Sequence, residues 1–580
     1  MKKLSITLLA FLFLTGCNKM LNLNPLDQLS DATYWKTPND FMLAANAFYA
    51  YQRSFTDANN TNNDNTGNPH NDIRSDLSAT LNEFSSGSNP VYTTDPFYSG
   101  DYTKIRNINY FLNKAQSYAK PADIAQFVGE AQFFRAYVYF DLLQLYGAVP
   151  LVTTPLATNS PQLTAPRTSR DSVVNQIIAD LQAAVTNLPV QSAMPSSEKG
   201  RVSQGAAQAF LGRVTLYEGT WQEFRGNSAR AQALLTTSVA ASQAVMSSGQ
   251  YALFNPAVLG DSALKYLFVL ENADAQGLSN PAGLGKSANT EYILANQYDY
   301  AKRQFGTNFS FANNHYEITR KLANMYLCTD GLPVTTSKVF QGYATETSEF
   351  QHRDNRMLYT VMIPGKTYWS QAPRNRIDWK GDAADLANAD YPDFNPCFAS
   401  GYHADKWATE RNVLPNAEAY DYPVIRYAEV LLNYAEAKFE LNGSISDADL
   451  NQSLNLVRLR INTDNGMPAL TNAFVSANGL DMRTEIRRER TIELFNEGFR
   501  VDDLKRWKTA ETEMPMDLLG IQWTGTAYQT AWPAAGTLPL DGNGCIIFQT
   551  GRTWQQKNYL LPLPTQELQL NPNLVQNPGW

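Results

Sequence analysis

Three glutamates near the carboxyl end of the chain have the spacing that acid–base chemistry on sugars would need. Glu489, Glu493 and Glu497 recur every fourth residue, so on a helix they line one stripe. Glycosidases use two carboxylates about 5 to 10 Å apart, but the arginines interleaved with this stripe would keep its carboxylates ionised. We therefore interpret the set as a structural ion network. It comprises Arg487, Arg488, Glu489, Arg490, Glu493 and Glu497.

Two helices separated by a sharp corner must position these charges. Residues 481–508, DMRTEIRRERTIELFNEGFRVDDLKRWK, carry apolar residues at helical intervals beside the charged stripe. We expect Gly498 to end the first helix and Asp502 or Asp503 to cap the second. Such a network would specify how the corner packs more surely than it would add stability.

Other stretches that resemble catalytic or metal sites are incomplete. Residues 283–287, GLGKS, lack the first glycine of a phosphate-binding loop, because Asn280 stands in its place. Residues 260–262, GDS, lack the G-x-S-x-G turn that presents a hydrolase serine. No two of the four histidines have the i, i+4 spacing of a zinc helix. We expect a protein that is not an enzyme, that uses no cofactor and that has no metal at its site, while a structural calcium ion stays an open alternative.

Aromatic residues beside polar residues indicate recognition of sugars. A sugar ring packs its C–H groups on an aromatic face, while Asp, Asn and Arg hydrogen-bond its hydroxyls. An early region and the middle of the chain combine these residue types. The ligand candidates are Asp72, Arg74, Asp76, Tyr92, Phe97, Tyr98, Tyr298, Tyr300, Phe305, Trp369 and Trp379; the same regions hold Tyr102, Phe309, Tyr391 and Trp407. Any one aromatic residue of this set more often packs beneath a loop than contacts a ligand. For the set as a whole, we expect at least two residues to contact the ligand.

The first 17 residues resemble a bacterial lipoprotein signal. Two lysines at 2–3 precede an apolar run, residues 4–14, which is too short for a permanent membrane span. Residues 14–17, LTGC, resemble the lipobox, in which cleavage leaves the cysteine at the new amino terminus with lipid attached. We therefore predict that Cys17 is lipidated and anchors the protein.

Composition excludes nucleic acid as a partner. The chain has 580 residues, 43% hydrophobic and 18% charged, which is ordinary for a globular protein. Its formal net charge of −8 repels a phosphate backbone. Beyond Cys17 the cysteines are Cys328, Cys397 and Cys545, so at most one disulfide bond can form.

A succession of amphipathic helices is the main pattern along the chain. We predict helices from about Phe41 and at 104–118, 121–147, 169–188, 199–221, 229–248, 422–442 and 447–461. Residues 57–72 are rich in Asn and Asp and predict a long polar loop. Between 248 and 422 the helical rhythm lapses into a variable middle rich in Gly, Pro, Asn and aromatic residues.

Two of the predicted connections give antiparallel helix pairs, as in tetratricopeptide-type stacks. The helices at 199–221 and 229–248 form one pair, and those at 422–442 and 447–461 form the other. Small residues allow the first pair to approach closely. They are Ala206, Ala207, Ala209 and Gly212.

Residues 487–507, RRERTIELFNEGFRVDDLKRW, resemble the signature helix pair of the SusD/RagB family. Six further blocks resemble family landmarks in the expected order. They are residues 129–152, 169–188, 199–221, 324–334, 350–365 and 559–580. The resemblance therefore spans the whole chain after the signal.

This resemblance implies a mainly α fold of tetratricopeptide-like stacked helix pairs, with long irregular loops and little β structure. It implies a lipoprotein signal at 1–17, a helical domain at 18–248 and a domain with variable loops at 249–580. The implied function is capture of an oligosaccharide at the outer surface of a Bacteroidetes-type bacterium for a SusC-like TonB-dependent transporter, with the membrane contacted only through the lipid. A RagB-like peptide-binding lipoprotein is the alternative, and a glycoside hydrolase is a weaker one.

Overall fold

The computed structural model describes residues 34–55, 71–272, 282–304, 317–363, 400–409, 417–531 and 533–580. Helices dominate these residues, so the prediction of a mainly α-helical protein is confirmed. The α-helices are α1 Pro38–Asn46, α2 Glu83–Ser86, α3 Pro96–Gln116, α4 Ala125–Tyr146, α5 Arg170–Asn187, α6 Gln204–Glu223, α7 Ser228–Ser247, α8 Ala263–Val269, α9 Arg320–Met325, α10 Met357–Thr360, α11 Tyr427–Asn442, α12 Asp447–Asn451, α13 Leu454–Leu459, α14 Asn472–Ala477, α15 Met482–Glu493, α16 Arg500–Arg506, α17 Ala510–Glu513, α18 Tyr528–Ala531 and α19 Thr565–Leu570.

Strands are few and short. β1, Tyr292–Asn296, pairs antiparallel with β2, Tyr422–Arg426, and β3, Leu518–Gln522, pairs antiparallel with β4, Cys545–Gln549. Short 3-10 helices lie at Ala47–Tyr51, Asp72–Arg74, Pro121–Ile124, Pro161–Thr164, Gln191–Ala193, Ser196–Glu198, Ala257–Ser262, Lys286–Ala288, Ser348–Phe350, Pro533–Thr537 and Gln556–Tyr559. The β1–β2 pair joins the middle of the chain to the start of α11.

Consecutive helices form a stack. From α3 to α7 each helix packs on the next, and α11 then packs on both α6 and α7. α4 is buried on nearly every face because α3 and α5 cover it on two sides. Both the early and the late parts of the chain contribute to the main hydrophobic core, which includes Phe134, Phe210 and Val430.

Small residues let α6 and α7 approach closely, as the sequence predicts. A Cβ atom at Gly212 would lie 2.9 Å from the hydroxyl oxygen of Ser242, and the Ser238 hydroxyl donates a 2.9 Å hydrogen bond to the Gly212 carbonyl. Further along the same helix, a Cβ atom at Gly219 would lie 2.9 Å from the side chain of Leu235. The antiparallel pair therefore depends on two glycines, of which the helix pattern predicted only Gly212.

Helix boundaries differ from the predictions, and four of the differences precede the signature stretch. α3 begins at residue 96 rather than 104, because Asp95 caps it and accepts a 2.9 Å hydrogen bond from the amide of Phe97. α6 begins after its cap Ser203 rather than at 199. Residues 422–426 are strand β2, because this β-prone stretch pairs with β1. The predicted helix 447–461 is two short helices, α12 and α13, separated at Ser453.

Two further observations concern anchoring and thiols. Within the described residues, no helix has the length and apolar character that crossing a membrane requires. Cys328 and Cys545 are buried free thiols, and Cys397 lies outside the described residues. Cys17 also lies outside them.

Candidate functional site

The signature stretch forms the predicted helix, corner and helix, but its ends differ from the prediction. α15 ends at Glu493 and not at Gly498, because the chain turns at Asn496 and Gly498, both of which have positive φ. Neither Asp502 nor Asp503 caps α16. The capping carboxylate is that of Asp72, which accepts hydrogen bonds from the amides of Gly498 at 3.4 Å and Arg500 at 3.1 Å.

The three glutamates of the predicted stripe lie in a buried ion network. Glu489 binds the guanidinium groups of Arg356 at 2.7 Å and Arg458 at 2.9 Å. Glu497 accepts a 2.6 Å hydrogen bond from the Lys406 ammonium group. Within the described residues, the connected network joins five carboxylates to five cations. They are Glu291, Asp354, Glu489, Glu493 and Glu497, with Arg356, Lys406, Arg426, Arg458 and Arg460.

Arg426 stands at the centre of this network. Its guanidinium donates to the carboxylates of Glu291 at 2.9 Å, Glu493 at 2.8 Å and Glu497 at 2.8 Å, and also to the Glu493 carbonyl. Its side chain is 1% exposed. Arg426 ends β2, so this one side chain ties the small sheet to the end of α15 and to the corner after it.

The arginines interleaved in the sequence are not the partners of these glutamates, so that part of the prediction is wrong. On a helix, neighbours one residue apart point away from each other. Arg490 instead binds Asp503 at 2.8 Å, and Arg488 binds Glu485 at 3.1 Å. Arg487 packs its guanidinium 4.7 Å from the Trp507 ring centroid.

The true partners come from separate elements, and the spacing of charges within 481–508 does not predict them. The signal that could have found them is an isolated arginine in an apolar context, such as VIRY at 424–427 or NRML at 355–358. Arginines in such surroundings are buried and need carboxylate partners. They are Arg356, Arg426, Arg458 and Arg460.

Ion pairing in the network favours the ionised form of Glu493 and Glu497. Despite their burial, the adjacent arginines hold the pKa of Glu493 well below its usual range, and Arg426 and Lys406 lower the pKa of Glu497. A carboxylate with a lowered pKa is a poor proton donor at neutral pH. Among the described residues, no cluster of three or more His, Cys, Asp or Glu side chains could hold a metal ion.

Two of the early ligand candidates have structural roles that argue against contact with a ligand. Asp72 is buried where it caps α16, and burial raises its pKa to about 6. Asp76 is 1% exposed and binds Arg500 at 2.7 Å and Lys321 at 2.5 Å. Both carboxylates therefore hold the corner between α15 and α16 in place. This role argues against the expectation that they contact a sugar.

Three early candidates line one cleft. Arg74, Tyr92 and Phe97 meet there beside a proline-rich part of the C-terminal segment, residues 561–564. The Tyr92 hydroxyl donates to the carboxylate of Glu83 at 3.0 Å. The cleft has a cavity volume of about 80 Å³ and a mostly apolar lining. This volume lies below the range of about 300 to 1,000 Å³ that small-molecule sites occupy, so the cleft can hold only part of a ligand.

The remaining described aromatic candidates are mostly core residues. Tyr98 is buried against Tyr102 and Tyr146, with ring centroids 5.1 Å apart in each case. Tyr298 is 8% exposed, and the guanidinium of Arg303 lies 4.4 Å from its ring centroid. This burial argues against ligand contact for Tyr98 and Tyr298.

Trp407 and Tyr300 are the other aromatic candidates of the middle region that lie within the described residues. Trp407 is 1% exposed and lies in the core, with its ring 4.7 Å from that of Phe268. Tyr300 is half-buried at the edge of the main core. The other middle candidates lie outside the described residues. They are Phe305, Phe309, Trp369, Trp379 and Tyr391.

Two family models match the chain. One, the SusD family, matches residues 282–580, and the other, described as starch-binding and associating with the outer membrane, matches residues 26–216. SusD-like protein P38 of Formosa agariphila is 24% identical over 529 residues, which cover 88% of this chain and 92% of that protein. SusD-like protein P2 of the same organism is 25% identical over 610 residues, with full coverage of both chains.

Solved structures share the fold. A SusD-like carbohydrate-binding protein of Bacteroides fragilis superposes with a TM-score of 0.71 at 23% identity, covering 94% of this chain and all of that one. A surface glycan-binding protein A of Bacteroides fluxus gives a TM-score of 0.59 at 18% identity, with 94% and 100% coverage. The stacked helices and the buried corner define a helical scaffold that carries long loops. The chain belongs to the SusD family.

Proposed function

We propose that the protein is a cell-surface lipoprotein that binds an oligosaccharide and delivers it to a SusC-like TonB-dependent transporter in the outer membrane, without cleaving the sugar. The observation that carries the proposal is membership of the SusD family together with the second model, which matches residues 26–216 and is described as starch-binding. The Bacteroides fragilis relative described as carbohydrate-binding supports the ligand class.

The chemistry of the signature corner supports binding without turnover. A retaining or inverting glycosidase needs one carboxyl group that is protonated at the working pH. The signature glutamates are instead ion-paired, and the pKa values of Glu493 and Glu497 are lowered. This arrangement favours a rigid scaffold over a catalytic pair.

The amino-terminal signal supports attachment to the outer membrane. Residues 14–17 match the lipobox pattern, and the second family model is described as associating with the outer membrane. In this proposal Cys17 carries the lipid and residues 18–33 form the tether. We also propose that the chain after Cys17 has two domains, residues 18–248 and residues 249–580.

Of the early candidates, Tyr92 and Phe97 are our proposed ligand contacts, because both are half-buried and share one cleft. Arg74 lines the same cleft, but it is buried with its guanidinium against the Phe84 ring, which argues against ligand contact. An aromatic face supplies stacking for a sugar ring. Loss of one stacking ring should weaken binding about tenfold, by analogy with the energy of an aromatic pair.

A glycan array probed with the full-length chain in detergent tests the proposal. We expect saturable binding to a restricted set of glycans, no binding to a mixed peptide library, and no release of reducing ends. Phe97→Ala should weaken the glycan signal, whereas Tyr118→Ala, which removes a ring at the end of α3 outside the cleft, should not. Binding to peptides alone would favour the RagB-like alternative, and released reducing ends would favour a hydrolase.

A further inference from the structure

A second groove, apart from the cleft at Tyr92, lies between α1 and α3. Its walls are the 3-10 turn after α1 on one side and the exposed face of α3 on the other, and Trp35 lies at its margin. Phe48 and Phe111 form its floor, with ring centroids 5.4 Å apart. The cavity volume is about 600 Å³, which falls within the range of about 300 to 1,000 Å³ that small-molecule sites occupy.

The rim of this groove combines flat rings with hydrogen-bonding groups. The rings of Trp35 and Tyr110 meet at 66° with centroids 6.1 Å apart, so they form a corner, and Tyr110 is 39% exposed. Tyr51 is half-buried, and its hydroxyl accepts a 3.3 Å hydrogen bond from the amide group of Asn107. A sugar ring could pack its C–H face on these rings while Asn107 contacts a hydroxyl.

The charge of the groove is opposite to that of the whole protein. Arg106 is exposed in the groove, and within the described part of the chain it has neither a hydrogen bond nor an ion pair. Among the described residues that line the groove, none is acidic and Arg106 is the one with a charge. The chain as a whole carries −8. An anionic ligand would be repelled over most of the surface and attracted here.

Trp35 is held in an unusual backbone conformation at this site. Its φ of 69° lies in the left-handed region, which a tryptophan rarely adopts. Packing of its ring against Phe41 and Phe111, with centroids 5.2 and 5.9 Å away, maintains that conformation. The ring is thereby fixed at the margin of the groove before any ligand arrives, which lowers the entropy lost on binding.

We propose that this groove binds an acidic oligosaccharide, one whose sugars carry carboxylate or sulfate groups, with its rings on Trp35 and Tyr110 and an acidic group on the Arg106 guanidinium. A guanidinium matches both groups because it donates two parallel hydrogen bonds to a planar or tetrahedral oxyanion. This inference rests on the proposed function, which supplies the class of ligand, an oligosaccharide. What it adds is a second binding site and the negative charge of the sugar that binds there.

Isothermal titration of the full-length chain in detergent tests the charge preference. The probes are hexagalacturonate, an alginate hexamer and a sulfated carrageenan hexamer. Each has a matched neutral counterpart, methyl-esterified or desulfated, that keeps the same rings. We expect at least one acidic probe to bind tighter than its counterpart, with affinity that falls as salt concentration rises.

Three variants locate that binding. Arg106→Gln should weaken the acidic probe about fivefold and leave the neutral counterpart unchanged. Tyr110→Ala should weaken both by about tenfold. Lys120→Gln is the matched control, because it removes one exposed positive charge just beyond α3 and outside the groove, and it should change neither.

The outcomes separate this inference from the proposed function. If glycans bind but Arg106→Gln and Tyr110→Ala behave like the parent, the groove is not the site and only this inference fails. The same holds if every neutral counterpart binds as tightly as its acidic probe, or if an oligoglutamate peptide displaces the sugar equally well. If no glycan binds anywhere, both proposals fail.

Discussion

Replacing Arg426 with glutamine should destabilise the protein by about 3–5 kcal/mol, the usual loss when one partner is removed from a buried ion pair. The reason lies in the balance of the network. Arg426 binds three carboxylates, and its removal leaves five buried carboxylates facing four cations. Glutamine can donate to one of the three carboxylates and carries no charge.

Urea unfolding at pH 7 measures this effect, with the slope of free energy against denaturant as a check that the unfolded state is unchanged. Arg230→Gln is the matched control, because Arg230 is partly exposed and lies 4.0 Å from Asp171. An exposed pair of this kind contributes about 0–1 kcal/mol. The two substitutions should therefore differ by at least about 2 kcal/mol.

The double variant Arg426→Gln, Glu497→Gln provides the sharper test. It removes one charge of each sign, so the remaining network is balanced again. Its loss of stability should be smaller than the sum of the two single losses by about 0.5–3 kcal/mol, the range of coupling between contacting residues. A loss below about 1 kcal/mol for Arg426→Gln, or strict additivity in the double variant, would refute the reasoning.

Three further predictions concern stability. The pKa of Asp72 is raised from 3.8 to about 6, so its folded form binds more protons than its unfolded form between these values and stability falls there as pH rises. Asp72→Asn should therefore flatten the dependence of stability on pH between pH 4 and pH 8 by up to about 3 kcal/mol in urea titrations, while its single amide oxygen can accept from only one of the two amides that Asp72 caps; an unchanged pH dependence would contradict this. Gly147→Ala should destabilise the protein by about 1–3 kcal/mol, because φ at this residue is 76° and the new Cβ would lie 2.8 Å from a leucine methyl group. Gly100→Ala, inside α3 with open space around it, should instead stabilise the protein by about 0.5–1 kcal/mol. Melting temperatures that shift in the same direction for both variants would contradict this prediction. Trp507→Phe should lower stability by about 1–2 kcal/mol more than Trp554→Phe, because the Trp507 indole donates a 2.6 Å hydrogen bond to a buried glutamate while the Trp554 indole nitrogen has no partner in the described residues; equal losses would argue against it.

The sequence predicts most of the helical scaffold because its signals are local. Apolar periodicity and caps such as Ser169 before α5 mark each helix within a few residues. The failures arise where a contact distant in the sequence decides the local structure. The strand β2 reads as the first turn of a helix because its partner β1 lies more than 100 residues earlier in the chain.

The candidate site could be predicted only in part because long-range polar contacts leave a weak trace in the sequence. In the sequence Asp72 and Asp76 resemble exposed loop residues because they follow a polar stretch. In the structure Asp72 accepts a hydrogen bond from the amide of Arg500, and Asp76 accepts one from its guanidinium. In the sequence Arg426 is an isolated charge among apolar residues, although in the structure it is the centre of the network. Burial of charge depends on partners that no spacing rule brings together.

Titration of the full-length chain with an oligosaccharide selected from the glycan array, followed by mass spectrometry of the recovered sugar, tests the central claim most directly. We predict saturable, reversible binding and a sugar recovered at its original length. Shortened products, or saturable binding of peptides in place of every sugar, would contradict the account of a passive glycan-binding protein.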